Sequence, residues 1–288
     1  MDDLIRLTVT VMGDDAELLS ACLALHVPYG WEEDTLPTGE GRAVVHAENE
    51  AFMTELTQAL RQTLPGARLE RDTAPRKDWT LAWREFFTPV EAGSRFLVLA
   101  PWMEEEKKKA GVRTPLVIEP KTAFGTGHHA STALCLGAVS DLADAGRIGR
   151  GMRFLDLGTG TGILGIACVT CGLTGLGLDI DMLAVENALE NAALNGVDAG
   201  ADSPVFAVRR GGIEDAPDSY DLILANILAR PLMDMAGEIT ARLKPGGALA
   251  LSGILGTQAA MVADAYMAHG LPEPVVTADG EWVSLVWA

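Results

Sequence analysis

The segment that most restricts how this chain can fold is a run of alternating glycines after a short apolar stretch. Residues 154–162 read Phe-Leu-Asp-Leu-Gly-Thr-Gly-Thr-Gly, and the apolar run 163–171 follows directly. This order predicts a strand, a tight loop and a helix. Because glycine has no Cβ, such a loop lets the backbone approach a ligand closely. We therefore expect a ligand site at the end of this strand.

The spacing and charge of this loop indicate the class of ligand. A dinucleotide-binding loop reads G-x-G-x-x-G and directs a helix N-terminus at a pyrophosphate, whereas here G-x-G-x-G follows Asp156. A carboxylate there repels phosphate but suits an ammonium group, such as the amino-acid end of S-adenosylmethionine. Asp179 ends the next strand and can accept hydrogen bonds from both ribose hydroxyls. Alternatively, Asp156 caps the turn and Asp179 caps the helix that starts near Met182.

Strands and helices alternate from about residue 88 onward, which predicts a parallel, doubly wound α/β sheet. The charged segment 103–113 is expected to be a solvated face or turn. The predicted strands cover residues 96–101, 115–119, 153–157, 173–178, 205–208, 221–225, 248–253, 274–278 and 281–288, and the predicted helices cover 131–145, 163–171, 182–195, 231–243 and 257–269.

The first 72 residues follow a different pattern, with the order β-α-β-β-α-β. This order predicts a small α+β domain of the ferredoxin-like type. Its predicted strands are 4–12, 30–36, 42–47 and 67–72, and its predicted helices are 16–26 and 50–64. The aromatic-rich stretch 79–87 predicts a short connecting helix. We therefore divide the chain into a domain at 1–74, a linker helix at 75–88 and a larger domain at 89–288.

Acidic residues are concentrated near the N-terminus. The chain has a formal net charge of −18, and residues 1–60 hold twelve acids against two bases, whereas residues 61–88 hold six bases against four acids. Affinity that depends on phosphate neutralisation draws on Lys and Arg, so we do not expect binding to naked nucleic acid. An acidic surface can instead steer a lysine-rich protein to its docking site.

Neither the chain start nor the cysteines indicate a secreted protein. The start lacks a basic n-region and a long apolar run, and no stretch approaches the roughly 18 uninterrupted apolar residues of a membrane span. We expect a cytoplasmic protein without membrane contact. Cys168 and Cys171 form a C-x-x-C, but a structural zinc site needs two more ligands at matched spacing. We expect both thiols to be ordinary core residues.

Motifs outside the glycine loop resemble those of one known family. Residues 119–132 read Glu-Pro-Lys-Thr-Ala-Phe-Gly-Thr-Gly-His-His-Ala-Ser-Thr, which resembles the signature A-F-G-T-G-x-H-x-T-T of the PrmA family. Residues 224–228 and 251–255 resemble later motifs of that family. These class I S-adenosylmethionine-dependent enzymes methylate the stalk-base protein of the large ribosomal subunit. The resemblance implies a seven-stranded Rossmann-like domain and an N-terminal domain, here 1–74, that recognises the substrate protein.

The resemblance also implies which residues contact the cofactor, with the loop 124–127 closing over its methionine end. Together with the glycine loop, the expected cofactor-binding residues are Thr132, Asp156, Gly158, Gly160, Gly162, Asp179, Asn226, Phe124, Gly125, Thr126 and Gly127. Two departures from the family pattern are Glu119 and Lys121 beside Pro120, where the family has aspartate and glycine, and Ser131 for a threonine. Neither departure removes a hydroxyl or a backbone function.

The adjacent His128 and His129 point in different directions on any regular element, so we expect no bound metal. His129 matches the family histidine. We expect it to order the loop rather than act as a base.

Methyl transfer to an amine needs a neutral nitrogen. A lysine of pKa about 10.4 is roughly a thousandth neutral near pH 7.4, which costs about 4 kcal/mol, whereas an α-amine of pKa near 8 loses well under 1 kcal/mol. Asn226, the expected catalytic residue, can accept an N–H through its side-chain oxygen and aim the lone pair. Ile227 and Leu228 follow it instead of the prolines that hold planar amides, which favours amines. Alternatively, Asn226 caps the helix near Leu228.

The favoured function is thus methylation of lysine or N-terminal amines on a basic ribosomal protein of the stalk base, which docks on the acidic N-terminal domain. A second hypothesis keeps the cofactor but makes RNA or a small molecule the substrate. A third is a non-catalytic binding module, which would need a degenerate pocket. We expect a monomer.

Overall fold

The computed structural model describes residues 4–12, 15–27, 31–36, 38–47, 49–74, 88–119, 129–217 and 219–288. The chain divides into two compact units, residues 1–87 and 88–288. The expected linker helix and the loop 124–127 lie outside the described residues, so the domain limits at 74 and 88 stay predictions. Within the described part of the chain, no helix has the length and apolarity to cross a bilayer.

The described part of the N-terminal unit is one antiparallel sheet with two helices. Strands β1 (Leu4–Val11), β2 (Glu32–Thr35), β3 (Gly41–Ala47) and β4 (Arg68–Ala74) lie in the order β2-β3-β1-β4. Helices α1 (Ala16–His26) and α2 (Glu50–Thr63) separate them in the chain. Asn49 caps α2, since its side chain accepts from two backbone N–H groups, and α2 buries Met53, Leu56 and Leu60. The order and pairing of these strands are those of the ferredoxin-like arrangement.

The C-terminal unit begins with a small three-stranded sheet. Strands β5 (Val90–Ala92), β6 (Phe96–Leu99) and β7 (Thr114–Val117) pair in that order, with β6 and β7 parallel. The acidic and basic run before β7 forms a short helix, α3 (Glu104–Lys108), with no buried residue. The segment is therefore solvated, as expected, but locally helical.

The large sheet has the expected doubly wound arrangement. Its eight strands lie in the order β10-β11-β9-β8-β12-β13-β15-β14, and all neighbours are parallel except those of β15. The strands are β8 (Arg153–Leu157), β9 (Thr174–Asp179), β10 (Ala199–Gly200), β11 (Phe206–Arg210), β12 (Tyr220–Asn226), β13 (Leu243–Leu255), β14 (Val275–Asp279) and β15 (Trp282–Trp287). Seven of them are the expected strands, and β10 adds two residues at the edge.

Helices cover both faces of this sheet. They are α4 (Ala130–Asp144), α5 (Ile163–Thr170), α6 (Met182–Leu194), α7 (Ala229–Asp234), α8 (Ala236–Ala241) and α9 (Ala259–Met267). The single helix predicted over 231–243 is wrong, because the backbone breaks at Met235 between α7 and α8. Buried Leu232 and Ile239 belong to one core across this break, so the apolar spacing did not reveal it.

Alternate residues along the central strands enter two cores, one on each face. Phe154 packs with α4, α5 and α6, whereas its neighbour Leu155 packs with α7, α8 and α9. Strands β9, β8 and β12 are consecutive in the sheet. Their carboxyl ends therefore bring Asp179, Leu157 and Asn226 to one edge, where open α/β sheets bind their ligands.

Two helical glycines test how tightly the core is packed. A Cβ on Gly165 would lie 2.3 Å from the buried Phe206 ring, whereas a Cβ on Gly137 meets no described atom within 4 Å. We expect Gly165→Ala to lower the free energy of unfolding by about 2 kcal/mol through overpacking. Gly137→Ala, the matched control, should raise it by up to about 1 kcal/mol through helix propensity. Equal urea midpoints for the two variants would contradict this packing.

Candidate active site

The glycine loop folds back over the end of β9. The N–H groups of Gly158 and Thr159 both donate to the Leu178 carbonyl, at 2.8 and 2.9 Å. Gly158 has a φ of +73°, and a Cβ there would lie 2.4 Å from Cγ2 of Ile227. Glycine is thus required at Gly158 both by the backbone conformation and by the close approach of the chain after β12.

Asp179 holds the same loop from the neighbouring strand. Its Oδ2 accepts from the Gly160 N–H at 2.9 Å, and its Oδ1 accepts from the Asp181 N–H at 3.0 Å. The alternative that Asp179 caps the following helix is wrong, because Asp181 caps α6 by accepting from the Leu183 N–H. Each Asp179 oxygen keeps further acceptor capacity for a ligand.

Asp156 lies beneath the loop and not on the cavity wall. The residue is fully buried, and its Oδ2 accepts from the Thr159 hydroxyl at 2.7 Å and the Gly165 N–H at 3.1 Å. Its Oδ1 is buried with no hydrogen-bond partner in the described part of the chain. Burial raises the pKa of Asp156 to about 6, against the opposing effect of these two hydrogen bonds. This geometry favours the turn-holding alternative over direct ligand contact.

Thr132 and Asn226 are brought together from α4 and β12. The Asn226 Nδ2 donates to the Thr132 Oγ1 at 3.1 Å, and the Asn226 Oδ1 is buried with no partner among the described residues. Helix α7 begins at Ala229 without a side-chain cap, so the helix-cap interpretation of Asn226 is wrong. On the other element of this pair, His129 caps the N-terminus of α4, as its Nδ1 accepts from the Ser131 N–H at 3.3 Å.

A cavity of about 680 Å³ joins these groups. Five expected site residues line it, namely Thr132, Gly158, Gly160, Asp179 and Asn226. Gly162, which precedes α5 at a φ of +79°, is not on the wall. The volume of the cavity is within the usual range for a small-molecule site, about 300–1,000 Å³.

The sequence did not identify several wall residues. Trp282, from β15, lines the cavity and packs edge-on against His129 with ring centroids 4.5 Å apart. Gly253 has a φ of +78°, and its Cβ would lie 2.4 Å from the Ile227 carbonyl oxygen. The signal for Gly253 was present in the motif at 251–255, whereas no local pattern marks Trp282. The apolar Ile180 and Leu228 also line the cavity and are exposed.

Phe124, Gly125, Thr126, Gly127 and His128 lie outside the described residues. The core placement of the C-x-x-C is confirmed, because Cys168 is fully buried in α5 and Cys171 is half-buried against the same core. Burial raises the pKa of both thiols. In the described part of the chain, no group of three or more His, Cys, Asp and Glu side chains could hold a metal.

Comparisons with known proteins agree on one family. A family model described as ribosomal protein L11 methyltransferase (PrmA) matches residues 31–288. A ribosomal protein L11 methyltransferase of Geobacter metallireducens is 41% identical over 75% of this chain and 67% of its own. One of Sinorhizobium fredii is 36% identical over 98% of both chains. The crystal structure of ribosomal protein L11 methylase from Lactobacillus delbrueckii subsp. bulgaricus has a TM-score of 0.57 at 25% identity, covering 69% of this chain and 97% of that one.

The raised pKa of Asp156 predicts a pH dependence of stability. A folded pKa of about 6 against about 3.9 unfolded means that the carboxyl stabilises the fold at low pH and that this contribution is lost as the pH rises through 6. Asp156→Asn keeps the shape of the side chain but removes the group that ionises. From pH 5 to pH 8, the free energy of unfolding should fall by about 1 kcal/mol more in the parent than in the variant. Identical pH dependence in urea denaturation would contradict the assignment.

Proposed function

The chain belongs to the ribosomal protein L11 methyltransferase (PrmA) family, and from this premise we propose that it transfers methyl groups from S-adenosylmethionine to amines of ribosomal protein L11. The observation that carries the proposal is the Oδ1 of Asn226, which is buried on the wall of the cavity and has no hydrogen-bond partner among the described residues. A buried acceptor without a partner costs stability, so its retention there points to a donor that arrives with the substrate.

The groups of the cavity fit the cofactor. Asp179 offers two carboxylate oxygens, each held by one backbone N–H and each able to accept a ribose hydroxyl. The absence of a Cβ at Gly158 and Gly160 leaves the loop backbone open to the amino-acid end. Asp156, beneath the loop, contributes a negative charge that favours a cationic ligand without touching it. When bound, S-adenosylmethionine supplies an electrophilic methyl group on a sulfonium.

Asn226 and Thr132 act on the incoming amine. Thr132 is fully buried, and its hydroxyl accepts from the Asn226 Nδ2. This hydrogen bond leaves the Asn226 Oδ1 to accept from the incoming amine. That oxygen accepts one N–H of a neutral amine and so orients the nitrogen lone pair. The amide gains no proton in this role. A flexible amine suits the site, since Ile227 and Leu228 supply no proline platform, and lysine and α-amino groups are therefore the proposed acceptors.

We place the docking of the substrate protein on the N-terminal unit. Residues 1–87 carry sixteen acids and eight bases, a net charge of −8, and residues 88–288 carry a net charge of −10. The N-terminal unit thus has nearly twice the negative charge per residue. Some of its acids are neutralised, as in the pairs Arg6–Asp72 and Arg42–Asp34. Glu32 and Glu33 on β2 are exposed, and no Lys or Arg pairs with them within the described ranges.

A monomeric enzyme in the cytoplasm, where ribosomal proteins are made, completes the proposal. The alternatives of an RNA or small-molecule substrate and of a non-catalytic module have no specific support in the cavity.

The Asn226–Thr132 pair is tested by three substitutions and mass spectrometry of L11 incubated with S-adenosylmethionine. The parent should methylate lysine or N-terminal amines. Asn226→Ala should lower kcat about 100-fold because the amine loses its acceptor, and Thr132→Val should do so because the Asn226 amide loses the partner that directs it. Thr132→Ser keeps the hydroxyl and should stay within about threefold of the parent. No methylation of L11, free or in ribosomal particles, by the parent would overturn the proposed function.

Docking on β2 is tested by Glu32→Gln with Glu33→Gln. The double variant should raise KM for L11 about threefold at low salt with unchanged kcat, because electrostatic steering is weakened. Glu104→Gln with Glu105→Gln on α3 removes the same charge from the other unit and is the control. The same rise in KM for both double variants would show an effect of net charge and would contradict docking on β2.

A further inference from the structure

Helix α6 carries three asparagines spaced four residues apart, Asn187, Asn191 and Asn195, the last at its C-cap. Residues at this spacing lie on one face of a helix. Asn187 and Asn191 are buried, at 3% and 0% exposure. Buried amides in a helix are stable only when they are hydrogen-bonded, so the partners of this stripe indicate what it holds.

Asn191 and Asn195 form hydrogen bonds with the backbone at the end of β7, on the side where a neighbouring strand would otherwise pair. The Val117 N–H donates to Asn195 Oδ1 at 2.8 Å, and Asn195 Nδ2 donates to the Val117 carbonyl at 2.7 Å. Two residues on, the Glu119 N–H donates to Asn191 Oδ1 at 2.9 Å. The intervening Ile118 N–H faces the other way and donates to the Leu99 carbonyl at 2.8 Å. This alternation is that of a strand between two partners.

Asn191 also reaches the glycine loop. Its Nδ2 donates to the Thr161 carbonyl at 2.9 Å and to Asn187 Oδ1 at 3.2 Å. The second donor bond of Asn195 goes instead to the Asn191 carbonyl in the helix backbone, at 2.8 Å. Both amides therefore tie α6 to the end of β7, but of the two only Asn191 makes a described hydrogen bond to the glycine loop.

We propose that Asn191 is a positioning residue for cofactor binding, which holds the Thr161 peptide so that the glycine loop is formed before the ligand arrives. The inference rests on the proposed function, because it takes the cavity to be the cofactor site. Thr161 follows Gly160, whose N–H donates to Asp179. Loss of the hydrogen bond to the Thr161 carbonyl therefore loosens the Gly160–Asp179 contact, which is the one nearest the proposed ribose site. A loop that must be ordered on binding lowers affinity. The cost of ordering the loop weakens the binding of the ground state and of the transition state equally, so KM rises and kcat is unchanged.

The test compares Asn191→Leu with Asn195→Leu. Each substitution replaces an amide by a branched apolar group with the same number of heavy atoms and removes three side-chain hydrogen bonds, so both should lower the melting temperature. Calorimetry with S-adenosylhomocysteine should give a Kd about tenfold higher for Asn191→Leu and within about twofold of the parent for Asn195→Leu. Hydrogen exchange of the ligand-free proteins should be faster in the 158–162 segment of the Asn191 variant than in that of the Asn195 variant.

The outcomes separate the positioning role from general destabilisation. Equal changes in Kd and in loop exchange for both variants would overturn the proposal, as would parental affinity in Asn191→Leu. If either leucine variant does not fold, Asn191→Ser and Asn195→Ser give the same comparison with a smaller change. A parent that does not bind S-adenosylhomocysteine would contradict the proposed function instead, and the exchange experiment would then still decide whether Asn191 orders the loop.

Discussion

The Leu178 carbonyl, at the end of β9, accepts two N–H groups from the glycine loop, and the site depends on this shared acceptor. It fixes the loop from β8 against the neighbouring strand, so Gly160 meets Asp179 while Asp156 remains buried below. The conformation requires positive φ values in the loop and excludes a side chain at Gly158. An alternating glycine sequence and an acid at the next strand end are therefore parts of one structure.

Around this loop, two hydrogen bonds join segments that are distant in the chain. Thr132 from α4 orients Asn226 from β12, and Asn191 from α6 joins the loop to the chain after β7. The Asn226 Oδ1 is buried and accepts no hydrogen bond from any described residue, and we propose that the substrate amine supplies its donor. Such pairing keeps the reacting geometry rigid, so that binding and orientation need little rearrangement of the protein.

Local pattern was sufficient to predict the strands other than β5 and β10, the glycine loop, and the placement of Asp179 and Asn226 at strand ends, which meet at one edge of a parallel sheet. It was insufficient where tertiary packing decides. Which side of the loop Asp156 faces depends on the path of the loop, and the carboxylate that was expected to contact the ligand instead accepts from Thr159 and Gly165. Trp282 reaches the cavity from the last strand of the sheet, with no signal near the glycine motif.

We propose that S-adenosylmethionine binds in the cavity between the glycine loop, Asp179 and the Thr132–Asn226 pair. The most direct measurement is a crystal structure of the chain with S-adenosylhomocysteine. It should show the ribose hydroxyls within hydrogen-bond distance of the Asp179 carboxylate and the amino-acid end beside Gly158 and Thr132. A ligand bound elsewhere, or a ribose that makes no contact with Asp179, would contradict the assignment of this cavity to the cofactor.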